Sequence, residues 1–241
     1  MMKTIYCALT LLTGLAAAVP ANAQSPTSLQ GKALISVNAG AQPQQRDLST
    51  SESFSLYGEL ATLTTSQPIR NGAIFEVSGG YGLWRDLAVM VGFSTFGRSS
   101  ASSLVASIPD PVFFNRPKTV SSEATGLKHT ERGVHLQVVW RIPVSDKIDV
   151  ALSAGPSFIR VTQQTASATV LAGTQNITVA QATQTGNAKG VNAGFDGCFM
   201  FTPQYGVGLF VRYAGGSVDL PAASALKVGG FQTGLGLRLR F

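Results

Sequence analysis

Apolar and polar residues alternate with a period of two through most of the chain. The clearest run ends at Phe241. Its residues divide into an apolar face, with Phe231, Thr233, Leu235, Leu237, Leu239 and Phe241, and an opposite face, with Gln232, Gly234, Gly236, Arg238 and Arg240. This period predicts a β-strand with one apolar face and one polar or glycine face. The apolar face runs through the last residue, where a soluble domain usually frays into a polar tail.

The same alternation recurs along the chain. Seven such segments follow residue 71, at 72–83, 87–97, 132–142, 148–162, 188–201, 206–215 and 227–241. Before them, 32–42 also alternates. If a turn lies at Gly58-Glu59, two further strands, about 50–57 and 60–67, bring the total to ten. Reading 53–65 as one strand instead gives eight and leaves 32–42 outside the sheet. We prefer ten strands, with eight as the alternative.

The connections between these segments differ sharply in length. Short turns are expected at 84–86, 143–147 and 202–205, whereas long polar segments occupy about 98–130, 163–187 and 216–226. Aromatic residues lie at the short-turn ends, level with the end of the last strand: Trp84, Trp140, Tyr205 and Phe241. Tight turns on one rim, long loops on the other and aromatic girdles are features of transmembrane β-barrels, in which the short turns are periplasmic.

Composition and processing signals agree with export to a membrane. Lys3, the apolar stretch Ile5–Val19 and the small residues Ala21-Asn22-Ala23 predict a cleaved signal peptide at residues 1–23. A single anchoring helix is the competing interpretation of this segment, but its apolar part is short. Charged residues make up 12% of the chain, against about 25% in ordinary soluble domains. We expect a short N-terminal segment at 24–31 and one all-β domain, an antiparallel up-and-down barrel, at 32–241.

The charge and cysteine content exclude several classes of function. The net charge is +6, but the basic residues are scattered, so nucleic-acid binding is not expected. Without residues 1–23, Cys198 is the only cysteine, which excludes an intramolecular disulfide. The two histidines, His129 and His135, have no recognised metal-ligand spacing, and no glycine-rich phosphate loop is present. No metal or cofactor is therefore expected.

Inward-facing charges are the first candidates for function. Pairing Phe201 with Val207 places Asp196 opposite Arg212, and Glu76 is expected at a similar height on a more distant strand. Small barrels have interiors nearly filled by side chains. We therefore favour a salt-bridged, largely plugged lumen over a small conducting pore, which remains the alternative.

Catalysis and surface contact are the other two hypotheses. His129, His135 and nearby carboxylates such as Glu131 could contribute to a nucleophilic relay, but nothing in the sequence identifies a serine partner, so no enzyme is expected. The proline-punctuated stretch 108–117 presents Phe113 and Phe114, which are the candidates for an extracellular contact. The alternative is that these rings fold onto the barrel mouth or rest in outer-leaflet lipid.

The export signal, alternating strands, loop asymmetry, aromatic ends and the terminal Leu237-Arg-Leu-Arg-Phe241 together resemble the outer-membrane β-barrel family of OmpA/OmpX type in Gram-negative bacteria. The resemblance implies localisation in the outer membrane, contact with its lipid, a monomer, and a signal for the barrel-assembly machinery carried by Phe241, Leu239 and Leu237. Its members include structural anchors and adhesins, so an unknown extracellular ligand stays open. A surface hydrolase and a soluble lipocalin-type periplasmic barrel are the less favoured alternatives.

Overall fold

The computed structural model describes residues 28–43, 46–170, 177–220 and 223–241, so the expected signal segment lies outside the described residues. Ten strands make up the regular structure: β1 (Ala33–Gln42), β2 (Arg46–Leu56), β3 (Glu59–Ile69), β4 (Gly72–Trp84), β5 (Leu87–Ile108), β6 (Lys118–Pro143), β7 (Ile148–Val170), β8 (Ile177–Met200), β9 (Tyr205–Leu220) and β10 (Ala223–Arg240). In the part of the chain that the structure describes, no helix is long and apolar enough to cross a membrane.

Eight of the ten strands close into a ring. Their order around the barrel is β5, β4, β1, β10, β9, β8, β7 and β6, and β6 pairs with β5 to complete the circle. The seam between β1 and β10 continues to the end of the chain, where the Ala33 amide donates to the Phe241 carbonyl at 2.9 Å and the Phe241 amide donates to the Ala33 carbonyl at 3.0 Å. The predicted all-β antiparallel barrel and the total of ten strands are confirmed, and the closed ring contains eight of them.

The two remaining strands form a hairpin above the ring. β2 pairs with β3 around a turn at Tyr57-Gly58, where both residues have positive φ. In the ten-stranded up-and-down barrel expected from the sequence, β2 would run opposite to β1 and β3 opposite to β4 within the barrel wall. Because β4 and β3 are both antiparallel to β5, β3 instead continues in the direction of β4, and β2 in that of β1. The β2–β3 pair is out of register with the β1–β4 pair by one residue. Gln42 of β1 pairs with Gly72 of β4, whereas Arg46 of β2 pairs with Ile69 of β3.

The segments expected to be long polar loops are mostly strand extensions. β5 and β6 have 22 and 26 residues and remain paired up to Ile108 and Lys118. A tilted strand of about 9–11 residues is enough to cross a bilayer. The 12 residues of β5 from Gly97 to Ile108 therefore extend the strand by roughly 40 Å beyond the part needed to cross the bilayer, at about 3.3 Å per residue. Thr62–Ser66 of β3 pair with Ser103–Ser107 on this extension.

The face assignment made from the sequence holds around the ring. Large apolar side chains on the outer face are 36–65% exposed, among them Phe75, Phe93, Leu136, Val191 and Leu235. Polar side chains on the opposite face, such as Glu76, His135 and Arg212, are at most 5% exposed. An apolar exterior and a polar interior are the reverse of a soluble barrel, whose exterior faces water.

Three apolar clusters lie at the two ends of the polar interior. The lower cluster joins Leu29, Leu34, Ala88, Met90 and Val139 near the short turns. One upper cluster lies between β7, β8, β9 and β10 and contains Ile159, Val161, Ala188, Val218, Leu220 and Val228. The other fills the space between the hairpin β2–β3 and the extensions of β5 and β6, around Leu63, Leu104, Ile108 and Leu127. The polar part of the lumen therefore lies between apolar side chains above and below.

Candidate functional site

The centre of the lumen is a buried ion pair between strands that are not neighbours. Glu76 of β4 contacts the guanidinium of Arg212 on β9, and each residue is 5% exposed. Arg212 also donates to Gln232 Oε1 from Nε at 3.0 Å and from Nη2 at 2.6 Å. Glu76 Oε1 accepts a hydrogen bond from the Asn38 amide at 3.4 Å. Two strands that are separated in the ring by β1 and β10 are thus joined through the lumen.

Asp196 has a different partner from the one expected. It contacts Arg238 of β10, whose Nε lies 3.1 Å from Asp196 Oδ2 and whose Nη1 donates to Asn38 Oδ1 at 2.7 Å. The predicted pair between Asp196 and Arg212 is wrong, because the β8–β9 hairpin pairs Asp196 with Phe210. The register differs by two residues from the one assumed, which leaves every side chain on its expected face but changes its neighbour.

A second group of charges lies towards the short turns. Asp149 accepts a hydrogen bond from Arg240 at 2.6 Å and lies 3.6 Å from the guanidinium of Arg141. Arg141 also contacts Asp86, with its Nε 2.9 Å from Oδ1. Asp149 and Arg141 are each 4% exposed. Two acidic and two basic groups therefore compensate one another, which is the condition under which the buried charges of Asp149 and Arg141 are tolerated.

A histidine and a glutamate lie above the central pair. His129 Nε2 is 2.9 Å from Glu131 Oε1, and His129 Nδ1 is 2.5 Å from Gln163 Oε1. Glu131 Oε2 accepts hydrogen bonds from the Gln42 side chain at 3.2 Å and from the Gly229 amide at 3.0 Å. Both His129 and Glu131 are less than 5% exposed.

One further hydrogen bond joins this upper group to the central ion pair. Gln232 Nε2 donates to Gln42 Oε1 at 2.8 Å, so the side chains form an unbroken path from Gln163 through Glu131 and Gln232 to Arg212. The path continues through Glu76 and Asn38 to Arg238. We call this path the lumen network; its members are Gln163, His129, Glu131, Gln42, Gln232, Arg212, Glu76, Asn38, Arg238 and Asp196.

His135 lies beside two serines rather than a carboxylate. Its Nε2 is 2.8 Å from Ser94 Oγ and its Nδ1 is 2.8 Å from Ser157 Oγ, which in turn accepts from Asn192 Nδ2 at 2.9 Å. A nucleophilic relay needs a serine on one imidazole nitrogen and an orienting carboxylate on the other. Here the ring of His135 contacts two serines, and the ring of His129 contacts a glutamate and a glutamine. Neither histidine therefore lies between a serine and a carboxylate.

A cavity of about 110 Å³ remains at the lower end of the lumen network. Charged side chains contribute to its lining from several strands, including Glu76, Arg141, Asp149, Arg212 and Arg238, while Leu34 and Met90 belong to the lower apolar cluster. A space of this size with several charged side chains in its lining has room for a few water molecules. Among the described residues no group of three metal-ligating side chains occurs, and Cys198 is a buried free thiol.

The residues expected at the lower rim lie there and face outward. Trp84, Trp140 and Tyr205 are 51–61% exposed, and the rings of Tyr205 and Phe241 meet edge to face with centroids 6.3 Å apart. The lower rim is the end at which the short turns lie. Leu237 faces outward with 55% exposure, and Leu239 pairs with Tyr205.

Phe113 and Phe114 lie at the far tip of the β5–β6 hairpin. They are 57% and 76% exposed, next to Val112 with 77%. The backbone amides of Val112 and Phe113 donate to Asp110 Oδ1 at 2.8 and 3.2 Å. The hydrogen bond from the Val112 amide, with that from Lys118, lowers the pKa of the Asp110 carboxyl. The rings do not fold onto the barrel mouth, because the paired extension of β5 and β6 separates them from it.

The β2–β3 hairpin meets this tip from the side. Glu59 accepts hydrogen bonds from the Asn115 amide at 3.3 and 3.4 Å. Beside Glu59, Tyr57 and Leu60 are 44% and 71% exposed. We call the exposed apolar residues of the two tips the tip cluster; its members are Tyr57, Leu60, Val112, Phe113 and Phe114.

Sequence reasoning missed a second, upper ring of aromatic residues on the outer face. Phe75, Phe93, Phe158, Tyr213 and Phe231 are 43–63% exposed and end the apolar band on their strands, and the rings of Tyr213 and Phe231 meet with centroids 5.4 Å apart. Each is the last large outward apolar residue before a polar stretch, so the signal was present in the sequence. Two aromatic girdles bounding an apolar band are typical of barrels that cross an outer membrane.

Comparisons with known proteins agree with this architecture. A family model described as the OmpA-like transmembrane domain matches residues 44–195, which is more than half of the chain. No curated protein matches the chain.

Among solved structures, the chain is similar to the outer membrane protein OprG from Pseudomonas aeruginosa, with 9% identity, 90% of this chain and 98% of that chain covered, and a TM-score of 0.50. The attachment invasion locus protein Ail of Yersinia pestis has 16% identity, with 88% and 99% covered and a TM-score of 0.42. The outer membrane protease OmpT from Escherichia coli has 10% identity, with 90% and 99% covered and a TM-score of 0.49. Identities this low concern the fold alone. On the family match and the barrel together, the chain belongs to the OmpA-like transmembrane domain family and is an outer-membrane β-barrel protein.

Proposed function

We propose that this barrel is a non-conducting structural protein that holds a surface for cell-surface interaction above the outer membrane. The observation that carries the proposal is the lumen network, which crosses the barrel as a continuous set of hydrogen bonds and ion pairs. Its charged members are paired and nearly all are buried, so opening a path for ions would require unpaired charges in a site with little water. The apolar clusters above and below the network add further barriers.

Conductance measurement tests the closed lumen. The purified protein, inserted into planar lipid bilayers and checked for heat-modifiable migration on gels, should give no steady single-channel steps. Steady conductance of the wild-type protein, altered by Asp196→Ala, would overturn the proposal in favour of a small porin. An Arg70→Ala variant is the matched control, because Arg70 forms an exposed pair with Asp47 at 3.4 Å and lies outside the lumen network.

The interaction surface in this proposal is the tip cluster. Five large apolar side chains, each 44–77% exposed, lie at the tips of two hairpins, β2–β3 and β5–β6, which are joined by the hydrogen bonds from Asn115 to Glu59. Large exposed apolar groups of this kind are more often contact sites than inert surface. Asp110 and Lys118, which lie 3.0 Å apart, and the hydrogen bonds from Asn115 to Glu59 hold the two tips in one arrangement.

Labelling on intact cells tests the position of the tip cluster. A Phe113→Cys variant should react with a membrane-impermeant maleimide, whereas a Lys147→Cys variant at a short turn should react only after the cells are opened. The native Cys198 is 6% exposed and should stay unlabelled in both. Protection of Phe113→Cys in intact cells would refute the surface location of the tip.

Adhesion of the same cells tests the contact itself. Cells that carry the wild-type protein should bind octyl-coated beads, and a Phe113→Ser/Phe114→Ser variant should bind severalfold fewer. A Val144→Ser variant, changed at an exposed apolar residue of a short turn, is the control and should bind like the wild type. Equal binding by all three would contradict a contact role for the tip cluster.

We also propose that the protein is not an enzyme and that its last strand directs assembly. The first statement is supported by the incomplete sets around His129 and His135. The second is supported by the outward positions of Leu237 and Phe241 on the strand that closes the ring against β1. A Phe241→Ala variant should insert into the outer membrane more slowly in pulse-chase experiments with cells, and an unchanged insertion rate would argue against this role.

A further inference from the structure

Three basic side chains stand on the outer face of the barrel, two of them one step above the upper aromatic ring and one level with Phe158. Arg132 of β6, Arg160 of β7 and Lys189 of β8 all point away from the lumen and are exposed. Arg132 pairs directly with Arg160 across β6 and β7, and Lys189 pairs with Phe158, one step below Arg160 on the neighbouring strands. We call these three residues the basic belt.

The arrangement of the basic belt is unfavourable unless an anion is bound. Side chains directly opposite on neighbouring antiparallel strands have Cβ atoms about 4.5–5.5 Å apart, and like charges in that position destabilise a sheet. None of the three side chains forms an ion pair with another described residue. An acidic residue on the same outer face, Asp219, lies on β9. It is two residues further along β9 than Ser217, which pairs with Lys189. Asp219 accepts a hydrogen bond from the Ala225 amide at 2.7 Å.

The height of the basic belt points to a lipid headgroup. Trp140, at the lower rim, and Arg132 are the two ends of a nine-residue stretch of β6. A tilted strand crosses the hydrocarbon core in about 9–11 residues. Arg132 therefore lies where the hydrocarbon of the outer leaflet ends and its headgroups begin.

Apolar side chains lie immediately below the belt. A furrow that spans β4 to β8 is lined by the basic belt together with the outward-facing Phe75, Phe93, Val134 and Phe158. It offers aromatic and aliphatic contacts to acyl chains beside three cations for a headgroup.

From this geometry we infer that the outer face of β6, β7 and β8 is a binding site for a phosphorylated lipid of the outer leaflet. Arg132 and Arg160 bind a phosphate group between them, since guanidinium groups donate paired hydrogen bonds to phosphate oxygens. Lys189 adds a third positive charge on the side of Phe158, and the furrow holds the upper part of the acyl chains. The inference concerns the outer wall and is independent of the lumen and of the tip cluster.

Lipid binding by the folded protein in detergent micelles tests this site. Native mass spectrometry should show bound diphosphorylated lipid A, with an apparent affinity at least tenfold higher than for the same lipid after its phosphates are removed. Inorganic phosphate at millimolar concentration should not displace the lipid, because it lacks the acyl chains that occupy the furrow. Equal affinity for the two lipids would overturn the inference, and so would displacement by inorganic phosphate.

Charge-matched variants locate the site. Arg132→Gln/Arg160→Gln/Lys189→Gln should weaken binding of diphosphorylated lipid A at least tenfold. The control Arg85→Gln/Arg116→Gln/Lys147→Gln also removes two arginines and one lysine, all exposed, from a short turn or the hairpin tip. It should bind within twofold of the wild type. Equal losses in the two variants would mean that net charge, and not the basic belt, attracts the lipid, and would refute the site.

Discussion

Breaking the central ion pair of the lumen is expected to destabilise the barrel strongly. In an Arg212→Met variant the aliphatic volume is largely kept, but Glu76 loses the guanidinium that it contacts. Its carboxylate is 5% exposed, and the remaining hydrogen bond, from the Asn38 amide to Oε1, is 3.4 Å long. We therefore expect the free energy of unfolding to fall by about 3–5 kcal/mol, the usual cost of leaving one member of a buried pair uncompensated.

Removing both charges should cost much less than removing one. In Glu76→Gln/Arg212→Met no buried charge is left without a partner, so the main loss is the pair of hydrogen bonds that Arg212 donates to Gln232. We expect the double variant to lose about 1–2 kcal/mol, on the scale of hydrogen bonds in proteins. The control Arg70→Met should lose about 0–1 kcal/mol, because Arg70 and Asp47 form a pair whose side chains are 46% and 59% exposed.

Urea unfolding in phospholipid vesicles, followed by the fluorescence of Trp84 and Trp140, measures these changes. The chain has two tryptophans, and both lie at the lower rim. The reasoning would be refuted if Arg212→Met lost less than about 1 kcal/mol, within the range of exposed pairs. The reasoning would also be refuted if the free energy lost by the double variant equalled the sum of the losses of Glu76→Gln and Arg212→Met, because the two residues would then not be coupled.

Three further predictions concern the wall, the tip and the lower end of the barrel. A Cβ on Gly234 would overlap the backbone of Ala39 on the adjoining strand, so Gly234→Ala should destabilise the barrel by about 1–3 kcal/mol and slow its heat-modifiable gel shift. The pKa of Asp110 is lowered chiefly by the Val112 amide, so the tip should loosen as the pH falls through that pKa. A lower hydrogen-exchange protection factor at Val112 in acid, taken relative to the intrinsic exchange rate at each pH and reproduced by Asp110→Asn at neutral pH, checks this, and a protection factor that does not change with pH would contradict it. Leu29 is 3% exposed in the lower cluster, so Leu29→Ala should cost about 2–5 kcal/mol but produce no conductance, since the lumen network is intact; steady current would show that Leu29 is the barrier.

Strand existence and side-chain faces could be predicted because both depend on local alternation. Segments such as 133–138 change polarity at every residue, and a strand that buries one face keeps that pattern whatever its neighbours are. The alternation does not predict a strand where the two faces of the strand have similar polarity. The Ser-rich residues of 98–107 give little contrast between faces, so this part of β5 was expected to be a loop although it pairs with β3 and β6.

The partners of the buried charges could not be predicted in the same way. A shift of two residues in the β8–β9 hairpin keeps Asp196 and Arg212 facing inward, so the apolar pattern does not detect it. The contact between Glu76 and Arg212 joins β4 to β9, which are separated in the ring by β1 and β10. It exists only once the ring is closed with a particular stagger between its strands.

The sequence by itself determined that the chain forms an outer-membrane barrel, with Trp84, Trp140 and Tyr205 at the rim of the short turns. These properties follow from period, composition and turn length, which are local. Only the tertiary structure decided that eight strands close the ring, that Asp196 meets Arg238, and that Arg132 and Arg160 stand side by side above the aromatic ring. Each of these depends on which strands are neighbours and in what register, and distant residues determine that pairing.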